Sequence, residues 1–276
     1  MFLDYHTHTN FSTDGKQTVF QLCEAALFRG VSELCLTDHY EPHSPMPEFA
    51  VPPSREILTE LAKARRVFPQ LKIKLGFEVT DNPPHHDEIA EWMNTWELDY
   101  FLLSHHTVEG LDPFMPEYFE RYNNDRKASY EAYALSVVES LSTWRPREFD
   151  CLAHLGYVGR YAPFPEDTRA FSWRDAPDIV DELLRSVIDH EAALEINTAS
   201  YRAGDQPTPG VDILRRYREL GGEFVMFGSD AHKVEHVAYA FDRAHEAALS
   251  CGLKYTYRFH RREREVVNIC CQCCRK

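Results

Sequence analysis

The stretch FLDYHTHTNFSTDG, residues 2–15, sets a short apolar run ahead of two histidines, His6 and His8, with Asp14 following within one loop's reach. On a strand, residues two apart project to the same face, so His6 and His8 would aim at one spot. Two imidazoles side by side make half of a site for zinc, iron or manganese. An isolated His-x-His is as readily a satisfied strand end, so the rest of the chain decides.

Six more runs of strand character follow the first. ELCLT ends at Asp38-His39, IKLGFEV carries Glu78, and YFLLS ends at His105-His106. DCLA precedes His154, ALEIN ends at Asn197, and FVMFGSDAH carries Asp230 and His232. Between them lie amphipathic helical patterns: VFQLCEAALFRG with a glycine stop at Gly30, SREILTELAKARRVF, PDIVDELLRSVIDH, and VDILRRYRELGG with a glycine pair at its end. One longer helical section, EYFERYNNDRKASYEAYALSVVESL, separates the fourth and fifth strands. Alternating strand and helix implies parallel pairing with right-handed crossovers. An open sheet gathers ligands near one switch point, whereas here every strand delivers polar residues at its C-terminal end. That pattern predicts a closed α/β barrel of seven units, a TIM-like (β/α)7 variant, as a single domain over residues 1–265. Residues 266–276 form a Cys-rich tail.

Composition narrows the functional classes. The chain has 276 residues, 43% hydrophobic and 27% charged, with a net charge of −14. That balance suits a globular protein and argues against a broad nucleic-acid surface, which needs a basic stripe. No apolar stretch approaches the ~18–20 residues of a membrane helix. The N-terminus lacks a basic segment followed by an apolar one, so the expected location is cytoplasmic. Cys23, Cys35, Cys151 and Cys251 sit in apolar surroundings and read as buried, reduced thiols. Cys270, Cys271, Cys273 and Cys274 crowd the tail, where a frayed terminus is favoured over a soft-metal site.

Nine residues fall at or just past strand ends: His6, His8, Asp14, His39, Glu78, His106, His154, Asp230 and His232. They exceed what one ion takes, and a carboxylate such as Glu78 can bridge two. A centre of two or three divalent ions (zinc, iron or manganese) is therefore expected. Ions of this kind make bound water acidic and grip phosphoryl oxygens, which suits hydrolysis of a phosphate ester; an amide is the competing substrate. Arg160 in AHLGYVGRY and Arg202 in EINTASYRAG follow ligand-bearing strands, where guanidinium groups would hold a phosphate.

The motifs HTHT (6–9), STDG (12–15), TDH (37–39), GFE (76–78), SHH (104–106), AHLG (153–156) and GSDAH (228–232) together resemble those of the PHP (polymerase and histidinol phosphatase) superfamily. The resemblance implies a distorted seven-stranded barrel with a trinuclear centre. It implies that His6, His8, Glu78 and Asp230 hold one ion, and that Glu78 bridges to a second held by His106 and His154. It gives the third to Asp14, His39 and His232. His106, not His105, follows from the family's S-x-H spacing. The arginine motifs, the helical section at about 115–143 and the closing YTYRFHRREREVVNI, read as a terminal hairpin, resemble the monofunctional histidinol-phosphate phosphatase branch. In that branch equivalents of Arg160 and Arg202 bind the substrate phosphate.

What the resemblance implies is a metal-dependent phosphomonoesterase acting on L-histidinol phosphate, through a metal-bridging hydroxide held at the Glu78 and Asp230 site. The partner would be a small phosphorylated metabolite, with no nucleic acid and no membrane; the general acid and the oligomeric state stay open. The alternatives are a PHP phosphatase for a nucleotide or phosphotyrosine, a phosphodiesterase or exonuclease, and a non-catalytic metal-binding module. Other phosphatase chemistries lack their signatures, since there is no DxD and no RHG. The one Cys-x5-Arg match, Cys23 to Arg29, falls in a helical pattern without a glycine-rich cradle and reads as coincidence.

Overall fold

The structure, a computed structural model, describes residues 2–269. The first strand β1 (Phe2–Asp4) leads through the histidine loop to α1 (Val19–Phe28). Thr18 and Gln21 form a capping box at its start, and Gly30 at φ +75 takes the left-handed turn that ends it. Then come β2 (Val31–Tyr40), α2 (Glu56–Val67), β3 (Lys72–Thr80), α3 (His86–Met93) and β4 (Tyr100–Ser104).

The long helical section expected after β4 is two helices, α4 (Pro116–Arg121) and α5 (Arg126–Thr143). Asn123 and Asn124 both adopt positive φ between them, which asparagine tolerates and a helix does not. Asp125 then caps α5 by accepting from the Ala128 N–H. The second half runs β5 (Cys151–Leu152), α6 (Pro177–Asp189), β6 (Ala193–Asn197), α7 (Val211–Glu219), β7 (Val225–Gly228) and α8 (Phe241–Ser250). The expected hairpin is present as β8 (Tyr255–His260) and β9 (Glu263–Asn268). It runs past position 265, and the four tail cysteines lie outside the described residues.

The seven strands pair in parallel in the order β1 to β7, each with its sequence neighbours. The seam between first and last is closed beyond the strand ends. Tyr5 donates to Phe227, Asp230 to His6 and His8 to Ala231, all backbone to backbone at 2.8–3.0 Å. The nearly closed α/β barrel matches the seven-unit expectation.

Alternation along each strand sorts the side chains into two layers. Leu34, Leu36, Phe101, Leu103, Leu194, Ile196 and Phe227 pack outward against the helices. Cys35, Tyr100, Leu102, Cys151, Ala153, Ala193 and Met226 fill the barrel interior, with Tyr257 and Phe259 of the hairpin added to the same cluster. Tyr5 ties this floor together: its hydroxyl donates to Glu33 and accepts from the Phe259 N–H. With the floor apolar, the polar inward positions collect at the C-terminal ends of the strands. Two helices beyond those expected from the sequence are present, α3 and α8, of eight and ten residues; each buries one face against the barrel, Ile89 and Met93 in α3 and Phe241, Ala244 and Ala248 in α8.

Candidate metal centre

Closure of the seam creates the first group of donors. His6 Nε2 and His8 Nε2 lie 3.0 Å apart, and both face Glu78 Oε2, at 3.1 and 3.4 Å. Asp230 Oδ1 completes the set at 3.8 and 3.5 Å from the two nitrogens. His6 and His8 come from the end of β1, Glu78 from β3, and Asp230 from the loop after β7. Asp230 sits at φ 52, a left-handed conformation aspartate tolerates better than most residues. Asp4 holds that loop by accepting the Ser229 and Ala238 N–H groups.

The second group lies on the other side of Glu78. Its Oε1 is 2.8 Å from His154 Nε2 and 3.4 Å from His106 Nε2, and the two imidazoles are 3.5 Å apart at those nitrogens. His105, the neighbour of His106, turns away and bonds Ser136. In the third group Asp14 Oδ2 approaches His232 Nε2 at 2.8 Å and Asp14 Oδ1 approaches His39 Nε2 at 3.8 Å. The His8 ring lies close to those of His39 and His232, with centroids 4.3 and 4.1 Å away.

The donor chemistry fits divalent ions. Two imidazole nitrogens facing each other at 3.0–3.5 Å must share one proton or one cation between them. Two nitrogens at about 2.0–2.1 Å from one tetrahedral ion stand ~3.3–3.4 Å apart, inside that range. His39 Nδ1 is 3.0 Å from Glu41 Oε1 and His232 Nε2 is 2.8 Å from Asp14, yet neither nitrogen makes a hydrogen bond of acceptable geometry. Donors that converge off-axis suit a shared ion better than a shared proton.

The electrostatics follow from burial against charge. Burial by itself would push the His6 imidazole down, but Glu195, Glu78 and Asp230 outweigh it and hold it well above its ordinary value. His39 is likewise raised to about 9, burial being overcome chiefly by Glu78 and Glu41. His8 goes the other way, lowered to about 3 by burial and by the neighbouring His232 and His39. Burial works to raise Glu78 and Asp230, but His6 and His39 at Glu78, and Arg160 and His6 at Asp230, keep both carboxyls well below the usual range.

All nine residues named from the sequence come together at the barrel mouth, and both arginines reach it. Arg160 Nη1 is 2.9 Å from Asp230 Oδ2, while Arg202 donates to the Ser229 and Asp230 carbonyls. Arg160 Nη2 and Arg202 Nε are buried without a hydrogen-bond partner, and both residues line a cavity of about 1030 Å³ that Asp14, Asp230 and His232 also border. Cys23 is buried inside α1 with its thiol pushed up to about 12 by burial, so the Cys-x5-Arg match carries no nucleophile.

Three supporting residues escaped the sequence reading. Glu195 Oε1 meets His6 Nδ1 at 2.6 Å while its Oε2 accepts the His154 N–H, and Gly228 makes room for it: a Cβ there would stand 2.0 Å from Glu195 Oε1. Asn197 bridges Glu195 and Asp230. Glu41 Oε1 accepts from His106 Nδ1 at 2.9 Å and flanks His39. A glutamate inside the otherwise apolar run ALEIN was the available signal for Glu195, since alternation points it inward with Ala193 and Asn197.

Fold and site together define an α/β barrel whose strand ends gather a cluster of side chains able to ligate metal. The chain belongs to the PHP domain family, whose profile matches residues 4–199. It is 29% identical over 255 residues to the "Probable histidinol-phosphatase" of Clostridium acetobutylicum, covering 92% of this chain and 95% of that one. It is 26% identical to the histidinol-phosphatase of Lactococcus lactis over 91% of this chain and 95% of its relative. The crystal structure of histidinol phosphate phosphatase from Lactococcus lactis, complexed with zinc, L-histidinol and phosphate, has the same fold. It superposes with a TM-score of 0.86 at 23% identity over 95% of this chain and 98% of that one.

Proposed function

We propose that this chain is a metal-dependent phosphomonoesterase that hydrolyses L-histidinol phosphate to L-histidinol and phosphate. The observation that carries this reading is the pair of unpartnered buried donors, Arg160 Nη2 and Arg202 Nε, beside convergent nitrogen and carboxylate donors able to hold metal ions. Buried guanidinium N–H groups without acceptors are costly to maintain, and a phosphoryl group would satisfy them. The named activities of the relatives supply the alcohol. His6, His8, Glu78 and Asp230 would hold one ion, Glu78, His106 and His154 a second, and Asp14, His39 and His232 a third. Two or three ions of zinc, iron or manganese suit these donors.

When bound, such ions supply an acidic water as nucleophile and Lewis-acid contacts to phosphoryl oxygens. The protein's own part is preorganisation. Glu78 ties two ligand groups into one frame, Glu195 and Glu41 orient imidazoles from behind, and Arg160 and Arg202 offset the negative charge that builds on the phosphoryl oxygens. No helix among the described residues is long and apolar enough to cross a membrane, and we take the enzyme to work in the cytoplasm on a small metabolite.

The test is a screen of metal-reconstituted protein against L-histidinol phosphate, nucleoside monophosphates and phosphotyrosine. High catalytic efficiency confined to L-histidinol phosphate is the expected result. Preferred turnover of a nucleotide or phosphotyrosine, or none of any ester after metal loading, would overturn the assignment.

A further inference from the structure

A second, smaller cavity of about 320 Å³ opens at the barrel mouth directly over the ligand groups, with Glu78, His106 and His154 among its lining residues. The larger cavity does not reach those three, so an ester bond held over them would send its alcohol into the smaller one. Four aromatic side chains, Phe49, Phe114, Tyr157 and Tyr161, line it alongside Met46 and the charged groups of the mouth. Tyr157 lies over the His106 ring at 4.4 Å, and the guanidinium of Arg160 stands 5.6 Å from the Tyr157 centroid.

Into this aromatic chamber projects one carboxylate that the ligand groups do not use. Asp112 is 1% exposed and sits in the loop after β4, which is drawn tight by the Val108–Leu111 bridge. Its Oδ1 accepts the Phe114 N–H at 2.7 Å and the Tyr157 hydroxyl at 3.1 Å, so the side chain is held from two different loops. Both bonds fall on one oxygen, and among the described residues nothing hydrogen-bonds Oδ2. The other acids around the chamber are engaged or solvated: Glu41 is taken by His106, Asp14 faces His232, and Glu48 is exposed. No ion pair among the described residues involves Asp112. A buried carboxylate with one free oxygen, walled by aromatic rings, is a receptor for a cation, because ring faces and anion both attract positive charge.

We propose that Asp112, held by Tyr157, is the anionic anchor for a positively charged leaving group, so that the site selects phosphomonoesters of amino alcohols over those of uncharged alcohols. This rests on the phosphomonoesterase reading and adds to it the residue that sets the alcohol preference. Burial lifts the Asp112 carboxyl to about 6, with His106 pulling it back, so the group is ionised at neutral pH and available to an ammonium or imidazolium.

The experiment compares wild type and Asp112→Asn, both metal-loaded, on three esters: L-histidinol phosphate, n-butyl phosphate and 4-nitrophenyl phosphate. The expected result is a fall in kcat/KM of about 10-fold or more on the cationic ester alone, the size of a lost charged hydrogen bond. Competitive inhibition by free L-histidinol should weaken in parallel. An equal fall on both alkyl esters with 4-nitrophenyl phosphate spared would mean that Asp112 donates the proton to the alkoxide, and would overturn the anchor role. Equal losses on all three, or none on any, would overturn it too. Tyr157→Phe, which keeps the ring and removes only the hydroxyl, gives the same comparison should Asp112→Asn fold poorly; its selective loss should be smaller and of the same sign. Wild-type protein that hydrolyses none of the three esters would instead sink the phosphomonoesterase reading itself.

Discussion

His6 Nδ1 and Glu195 Oε1 stand 2.6 Å apart, joining the end of the first strand to the middle of the sixth. The contact holds the imidazole with Nε2 turned toward His8, Glu78 and Asp230. A carboxylate behind a ligand histidine fixes its tautomer and raises its basicity. Glu195→Gln keeps the shape and removes the charge, so metal affinity should fall about 10–100-fold with the fold retained. Metal content after dialysis against graded chelator measures this, and undiminished retention would remove Glu195 from the centre.

Glu78 divides its oxygens between two ligand groups, Oε2 toward His6 and His8, Oε1 toward His154 and His106. Glu78→Ala should therefore lose more than one ion per chain by elemental analysis. His8→Ala touches one group and should cost fewer. Equal metal loss in the two variants would contradict the bridging geometry.

Arg202 is anchored by backbone carbonyls, so its removal leaves the ligand groups intact. Arg202→Ala should keep full metal content while kcat/KM on the phosphomonoester drops about 10–100-fold, the range for a lost charge-assisted hydrogen bond. Steady-state kinetics on the metal-loaded variant decides it; unchanged efficiency would exclude Arg202 from the phosphate site.

Stripped of metal, the protein should take up protons at three of its candidate ligand imidazoles. Burial disfavours the charged forms of His6, His39 and His106, but Glu195 and Glu78 at His6, Glu78 and Glu41 at His39, and Glu41 at His106 raise all three. A raised imidazole stabilises the metal-free fold below its ordinary value, and that contribution disappears as pH climbs through the folded-state value, for His39 from 6.5 to about 9. Ions need these nitrogens bare, so loading at pH 7 should release protons and apparent affinity should rise toward pH 9. Proton release in weakly buffered solution measures the first effect. Affinity falling with pH over this range would refute the assignment.

The barrel floor makes a separate claim about stability. Tyr5 is buried and bonded at both ends of its hydroxyl, to Glu33 and to the Phe259 N–H. Tyr5→Phe should destabilise the fold by about 1–3 kcal/mol, the cost of orphaning buried polar groups, with metal content unchanged. Thermal unfolding is the readout, and a variant of equal stability would show that the hairpin is not secured there.

The fold was legible because its signals are local and repeated. Strand-type runs ending in His39, Glu78, His106, His154 and Asp230 alternate with helical patterns, and seven such units leave few topologies. The helical section at about 115–143 divides into two helices where Asn123 and Asn124 turn to positive φ, a break that residue type alone does not locate. Helices α3 and α8 are two further elements that the sequence analysis does not mark.

By itself the sequence determined the candidate donors and the side of the barrel that carries them, since alternation and strand-end position are properties of single segments. Tertiary structure alone decided which donors share a site. His6, His8 and Asp230 converge because the seam closes through their own backbone, with Asp230 donating to His6 and His8 to Ala231. Glu195 and Asp112 could not be ranked from sequence for the same reason. An acid's role depends on what faces it, and here the facing groups are His6, 189 positions away, and Tyr157, 45 positions away.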